Sequence, residues 1–291
     1  MSADNAIILA AGCCSRFVPV CFDIPKGLIP IRGETLIERQ IRQLHEKHVF
    51  DITVVTGALA DRFDFLSRKW NVRLIYNPDY ATKNNFASLL AAKEWLGDTI
   101  ITSSDLYFPR NIFRTTCNYP YYASVFAKGK TSQRTLALDE NSKIVGTSYG
   151  GADAWITFGG HARLSADISR KLLKCMSDAY DNPAFSNRYW VDFQDDDING
   201  MPMYAEKLQD GAIVEFNTLE SLRLFDPGFR ISAVSPTMRR ICSSLNVDEE
   251  AISGFEAVKE KNKAVGCEFD VNGKRFCYMR ESDEVISLDN K

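Results

Sequence analysis

Between residues 5 and 105 short apolar runs alternate with helical patterns, and this alternation constrains the fold more than any other feature of the chain. The run AIILAA (6–11) is apolar without interruption, as a strand buried on both faces requires. TLIERQIRQLHEK (35–47) sets Leu36, Ile37, Gln40, Ile41 and Leu44 on one stripe at helical spacing, with charges opposite. FDITVVTG (50–57) is a second strand, LADRFDFLSRKW (59–70) a second helix and VRLIYN (72–77) a third strand. NFASLLAAKEWL (85–96) is a third helix, and TIITSSD (99–105) a fourth strand ending in an acid. Strand–helix–strand units with short links predict an α/β fold, a doubly wound and mostly parallel Rossmann-like sheet. Its crevice is formed by loops at the carboxyl ends of the strands.

The pattern changes after about residue 120. YYASVFAK, TLALDENSKIVGTSY and AWITFGGHARL read as antiparallel strands with a turn at Asp139–Asn141. A helix at about 165–180, the acidic aromatic stretch NRYWVDFQDDDING and a strand MYAEKL follow, and AIVEFNTLESLRLFD reads as a last strand entering a helix. Residues 229–291 look separate. A helix begins near Pro236 with Ser235 as N-cap, and CEFDVNGKRFCYMR is a hairpin turning at Asn272-Gly273. One helix and one hairpin bury little alone. They are expected to pack on the main domain or on a second copy of the chain, which would make a homodimer.

With 45% hydrophobic and 25% charged residues, the 291-residue chain has ordinary globular composition, and a net charge of −3 offers no basic field for nucleic acid. No apolar stretch reaches the roughly 20 residues a membrane span needs. The start lacks a basic, signal-like segment, and the eight cysteines include no C-x-x-C pair, so reduced thiols in the cytoplasm are expected. Three histidines without ligand spacing argue against zinc.

The stretch LAAGCCSRFVPVCFDIPKGL (9–28) carries the chemistry. A buried strand empties into small residues that let backbone N–H groups approach a phosphate. Arg16 and Lys26 add two cations, and Pro25 fixes the backbone ahead of Lys26. LAAGCCSRFVP followed by PKGLIPIRGETLIERQI resembles the opening of nucleoside-triphosphate-dependent nucleotidyltransferases. NPDYATKNNFASLLAAKEWL, SSDLYF, YWVDF and EFNTLESL are most similar to the bacterial phosphocholine cytidylyltransferases of that group, with the resemblance covering residues 5–228. It implies a catalytic domain over 1–228 that transfers CMP from CTP to phosphocholine or a similar phospho-alcohol, with Mg²⁺ as cofactor and pyrophosphate as co-product. It implies that Ala10, Ala11 and Gly12 line the nucleotide, with Arg16 on the triphosphate, and that Lys26 contacts the attacking phosphate and the phosphorus under attack. Asn84, Asn85 and Ser88 would face base, ribose or acceptor, and Asp105 would hold the metal with Asn217 as second ligand. Asp192 competes for that last role, and Asp195–Asp197 read as a solvated acidic loop. Arg16, Lys26 and Asp105 are expected to converge on one magnesium-bridged triphosphate.

Tyr107, Trp155, Tyr189, Trp190 and Asp192 could cage a choline cation, which has no N–H to donate. The chain departs from the family in three places. Cys14 replaces a loop glycine, a site expected to tolerate a small side chain. Arg134 stands where the choline branch has an aromatic, and Val191 replaces a carboxylate. Both of the latter remove cation-binding features and point toward another acceptor, such as aminoethylphosphonate, an inositol phosphate or a sugar phosphate, or toward a non-catalytic nucleotide-binding protein. Residues 229–291 resemble the first helix and hairpin of choline-kinase-like domains. The phosphate-gripping loop is replaced by KEKNKAVG, so this remnant is expected to lack kinase activity.

Overall fold

The computed structural model describes residues 3–13, 17–260 and 263–288. Cys14 and Arg16 lie outside the described residues. The chain forms two compact units, residues 1–11 with 36–215 and residues 12–35 with 216–291.

The first unit is built on a seven-stranded mixed sheet. It contains β1 (Asn5–Ala10); the next two strands, β2 (Pro30–Ile31) and β3 (Glu34–Thr35), are a small hairpin of the second unit. β1 pairs in parallel with β4 (Ile52–Thr56) on one side and β6 (Thr99–Ser103) on the other, and β5 (Arg73–Tyr76) extends the parallel set beyond β4. Ala6, Ile7 and Ile8 are wholly inaccessible, as the unbroken apolar run predicts for a strand covered on both faces. β7 (Leu106–Tyr107) leaves the main sheet to pair with β11 (Val214–Glu215). The long strands β8 (Tyr121–Leu138) and β9 (Ile144–Arg163) form an antiparallel hairpin. β9 joins antiparallel to β6, and β10 (Tyr204–Lys207) runs parallel to β8 at the far edge. The expected turn at Asp139–Asn141 is present, the Asp139 carboxylate accepting from the backbone of Asn141 and Lys143.

Helices α1 (Leu36–His45), α2 (Asp64–Trp70), α3 (Asn85–Ala91), α4 (Ala166–Ala179) and α5 (Trp190–Asp195) pack around the sheet. The third helix is predicted over 85–96 but stops at Ala91, followed by a tight turn at Lys93–Trp95. That turn presents the Trp95 carbonyl to Asn5 Nδ2 (2.6 Å) and Thr99 Oγ1 (3.2 Å). Tying down the starts of β1 and β6 there competes with continuing the helix.

The second unit holds α6 (Leu219–Phe225), α7 (Pro236–Leu245) and a four-stranded antiparallel sheet. Its strands are β12 (Ile252–Glu260), β13 (Lys263–Val271), β14 (Lys274–Met279) and β15 (Glu284–Ser287). The Ser235 N-cap, Pro236 in the first turn and the Asn272-Gly273 turn, both of its residues at positive φ, stand as predicted. The single hairpin expected here is corrected to four strands. β12 carries two register shifts, between Ser253 and Glu256 and between Val258 and Lys259, and these erase the period-two signal.

Glu249 ties this unit together. Its carboxylate accepts from the backbone N–H of Ile231 (3.0 Å) and Ser232 (2.7 Å) and faces Arg223 at 3.3 Å. Burial pushes its pKa up, but these bonds outweigh burial and hold it below the ordinary glutamate value of about 4.5. Its contribution to stability is therefore full above about 4.5 and is lost as pH falls through the depressed folded value. Glu249→Gln is expected to cost about 1–3 kcal/mol at pH 7. The gap to wild type should narrow as the pH is lowered below 4.5 in thermal unfolding series.

Candidate active site

The carboxyl ends of β1, β4 and β6 lie side by side, because Leu9 registers with Ser103 and Ala10 with Thr56. The backbone of Ser104 donates to the Leu9 carbonyl (2.9 Å) and that of Ala58 to the Ala11 carbonyl (3.2 Å), locking the strand ends together. Gly57 permits this closeness: a Cβ there would sit 2.6 Å from Tyr80 Cβ and 2.7 Å from the Ala11 carbonyl. Ala10 and Ala11 thus mark the carboxyl end of β1. A Cβ added at Gly12 would meet nothing within 4 Å, so the backbone there is open to close approach.

Asp105 follows β6 by two residues, and Ser103 Oγ donates to its Oδ1 at 2.7 Å. Side chains from α1 fix the turn by bonding to its carbonyls. The wholly buried Gln40 donates from Nε2 to the carbonyls of Ser103 (2.8 Å) and Leu106 (2.7 Å), bracketing Asp105. Gln43 Nε2 reaches the Phe108 carbonyl (3.0 Å), and Arg39 Nε reaches the same oxygen (2.9 Å). The signal for Gln40 is its polarity on an otherwise apolar stripe. Gln40→Met keeps the volume but strands two buried carbonyls. We expect a loss of about 1–3 kcal/mol by urea denaturation, together with a higher metal requirement for activity.

A second cluster lies where α3, α5 and the β8–β9 hairpin meet. Asn84 caps α3 by accepting from Asn85 N (2.7 Å), and its Nδ2 donates to the Asn187 carbonyl (2.9 Å). Asn85 Oδ1 accepts from Trp190 N (2.9 Å), tying the helix to the YWVD stretch. Asp192 accepts from Tyr189 N through Oδ2 (2.7 Å) and from the Tyr149 hydroxyl through Oδ1 (2.8 Å). Tyr149, held by its hydroxyl, and Tyr189, held by its backbone N–H, both touch this carboxylate, and their side chains are 58% and 45% exposed. Burial and the bond to Asp192 push the Tyr149 hydroxyl up, keeping it a donor. Tyr149 was not singled out by the sequence, because its pairing with α5 spans 43 positions.

Arg134, only 4% exposed, lies beneath this rim. It pairs with Asp195, by Nε to Oδ2 at 3.0 Å and through Nη2 to Oδ1, and Nη2 also reaches Gln194 Oε1 at 3.4 Å. Burial opposes its charge, and the Asp195 bonds overcome that, keeping it protonated. Of the solvated loop expected at Asp195–Asp197, Asp196 and Asp197 are exposed, and only Asp195 departs from it, drawn inward by Arg134. Asp195 neutralises Arg134, Asp196 pairs with Arg188 (2.6 Å), and Asp197 Oδ1 accepts from Gly200 N (2.9 Å).

Trp190 is fully inaccessible and belongs to the main core with Ile7, Phe86 and Met203. Its ring fills the space that Gly160, at φ 73°, leaves open; a Cβ there would lie 2.7 Å from the indole. Tyr107 is also buried, its ring covered by the Arg39 guanidinium at 4.5 Å, and Ser88 accepts from Asn77 Nδ2 at 3.0 Å. Trp155 is half-buried beside Phe126, with Lys207 Nζ 5.3 Å from its ring. The structure therefore gathers Asn84, Asn85, Tyr189, Asp192 and Arg134, and gives Trp190, Tyr107 and Ser88 interior positions. Lys26 and Asn217 belong to the second unit, Lys26 opening a tight turn at Lys26–Leu28 and Asn217 preceding the Thr218 cap of α6.

A parallel sheet with an acid just beyond its β6 edge and a small-residue loop after β1 defines a nucleotide-handling α/β enzyme. Residues 6–137 match the MobA-like NTP transferase domain. The chain belongs to the nucleoside-triphosphate-dependent nucleotidyltransferases and is an enzyme of that class. It is 32% identical over 227 residues to the choline-phosphate cytidylyltransferase of Streptococcus pneumoniae, covering 75% of this chain and 95% of that one. It is 31% identical over 229 residues to the 2-aminoethylphosphonate cytidylyltransferase of Lancefieldella rimae, covering 77% of this chain and 93% of that one. The solved CTP:phosphocholine cytidylyltransferase from Streptococcus pneumoniae superposes with a TM-score of 0.73 at 31% identity, over 77% of this chain and 97% of that one.

Proposed function

We propose that this nucleotidyltransferase is a magnesium-dependent cytidylyltransferase that moves CMP from CTP to the phosphate of a small phospho-alcohol of the phosphocholine type. The names of its most similar relatives support the cytidylyl group and the acceptor class. The observation that carries the headgroup is Asp192, a carboxylate bonded to the Tyr149 hydroxyl and the Tyr189 backbone N–H, with two exposed tyrosine side chains on the same stretch of surface. A cation without N–H groups is held by aromatic faces and a nearby carboxylate.

In the reaction an acceptor phosphate oxygen attacks the α-phosphorus, and the bond from that phosphorus to the bridging oxygen breaks. Pyrophosphate leaves with the electron pair. The acceptor is already an oxyanion at neutral pH, so alignment and charge neutralisation dominate over proton transfer. Lys26, with Arg16, supplies cationic charge to the phosphates, and Ala10, Ala11 and Gly12 supply backbone for close approach. Asp105 offers a carboxylate, the hard oxygen donor that Mg²⁺ prefers, and Asn217 a further amide oxygen. Among the described residues no cluster of three or more acids, histidines or cysteines could hold a metal alone. When bound, the ion would offset charge developing on the triphosphate.

A pyrophosphate-release assay over four nucleoside triphosphates and a panel of phosphorylated acceptors tests the reading. Turnover with CTP and phosphocholine is expected. No turnover with any pair, alongside CTP binding by calorimetry, would instead mark a non-catalytic nucleotide-binding protein.

A second reading, an acceptor with an oxygen-bearing headgroup, is favoured by one specific observation. Among the described residues, Arg134 Nη1 and the Tyr122 hydroxyl are buried donors without a hydrogen-bond acceptor. The two lie together, the Arg134 guanidinium 4.8 Å from the centroid of the Tyr122 ring. Unmet buried donors favour a ligand oxygen. Phosphocholine against inositol phosphate and a sugar phosphate in the same panel would separate the two readings.

A further inference from the structure

The segment that carries Lys26 is anchored to the C-terminal part of the chain. Asp23, three residues before Lys26, accepts from three donors at the start of α7. Ser235 Oγ reaches Asp23 Oδ2 at 2.6 Å, Thr237 N reaches the same oxygen at 2.9 Å, and Thr237 Oγ1 reaches Oδ1 at 3.1 Å. The carboxylate thus uses both oxygens at the positive end of a ten-residue helix, where charge-assisted bonds and the helix dipole act together. The neighbouring Phe22 is buried, its ring 6.2 Å from that of Tyr278 on β14 and 5.6 Å from the Arg280 guanidinium. On the other side of Lys26, Arg32 N donates to Asp226 Oδ2 at 2.9 Å, and its guanidinium lies 4.3 Å from the Phe225 ring at the end of α6.

Lys26 therefore sits on a short arch fixed at both ends. Between the anchors the arch is stiffened by backbone bonds, Leu28 N to the Pro25 carbonyl at 2.8 Å and Ile29 N to the Lys26 carbonyl at 3.2 Å. The grouping of residues 12–35 with 216–291 in one compact unit expresses the same attachment. The match to the Streptococcus pneumoniae enzyme covers 95% of that protein but only 75% of this one, so a quarter of this chain lies outside it. Residues 229–291 resemble the opening of a kinase domain without its phosphate loop, and the sequence assigns them no chemistry of their own.

We propose that the C-terminal helix and sheet hold the Lys26 arch in its working conformation, with Asp23, Ser235 and Thr237 as positioning residues for the transfer. This rests on the reading that Lys26 acts on the phosphates. A lysine on a tethered arch meets a transition state with less reorganisation than one on a loose loop, and misplacement by about 1 Å is worth on the order of 100-fold in rate. The extension is then a working part of the transferase.

The test uses the full chain, with Ser235→Ala/Thr237→Val to remove both side-chain donors and Ser235→Thr/Thr237→Ser to keep them. The first pair is expected to lower kcat by roughly 10–100-fold with little change in KM for CTP. The second pair should keep wild-type rates. Native-state hydrogen exchange should show faster exchange at residues 20–29 in the first pair alone. Lost protection with unchanged kcat would overturn the positioning role and leave the cytidylyltransferase reading intact. Unchanged protection would overturn the anchor itself. If the wild-type chain turns over no acceptor, the cytidylyltransferase reading fails, and exchange at 20–29 still decides the anchor. Should the first pair fold poorly, Thr237→Val alone, which keeps the Ser235 cap, gives the same two readouts.

Discussion

Lys26→Ala is expected to abolish transfer while the chain keeps its fold. Lys26 is half-buried and opens a tight turn whose shape is set by Pro25, at φ −57° and ψ 141°, and by backbone bonds that alanine preserves. The loss is therefore a loss of charge rather than of structure. A preorganised cation facing phosphoryl oxygens stabilises charge that develops only in the transition state, and such a group supplies on the order of 10³-fold or more in kcat. Lys26→Arg should recover only part of it, because a planar fork does not present its donors as a compact ammonium does. Pyrophosphate release together with thermal unfolding checks this. Wild-type rates in Lys26→Ala would remove Lys26 from the chemistry, and with it the premise of the anchored arch.

Asp105→Asn should be nearly as damaging, by a different route. The side chain keeps its shape, Ser103 can still bond to it, and the Gln40 bonds to the Ser103 and Leu106 carbonyls preserve the turn. What disappears is the charged oxygen donor offered to magnesium. We expect kcat/KM to fall on the order of 10³-fold, with a higher magnesium concentration at half-maximal rate. A magnesium titration of both proteins separates this from misfolding. An unchanged metal requirement in Asp105→Asn would assign the ion to other ligands.

Several parts of this architecture are written locally. β1, β4 and β6 are legible because burial on both faces demands an unbroken apolar run, and α1 because its stripe repeats at helical spacing. Asp105 is legible because a parallel strand delivers its carboxyl end to the crevice. The Ser235 cap and the Asn272-Gly273 turn follow from backbone chemistry confined to a few residues. Membership of the nucleotidyltransferases is legible in the same local way, from small residues and cations standing within one short stretch, 9–28.

Pairings across long separations could not be read this way. Arg134 meets Asp195 across 61 positions, and that meeting turns one residue of an apparently solvated acidic loop into half of a buried ion pair. Trp190 looks like a ligand-facing aromatic in a polar stretch, yet Gly160 opens a space in the core that only its ring fills. Asp23 and Ser235 are 212 positions apart and belong to patterns with no shared period. Sequence alone determined the nucleotide-binding sheet and the residue types around it, because strand burial and turn chemistry act over a handful of neighbours. Tertiary structure alone decided which charges are neutralised and what the last sixty residues hold, because those depend on side chains meeting through space, where no periodicity runs.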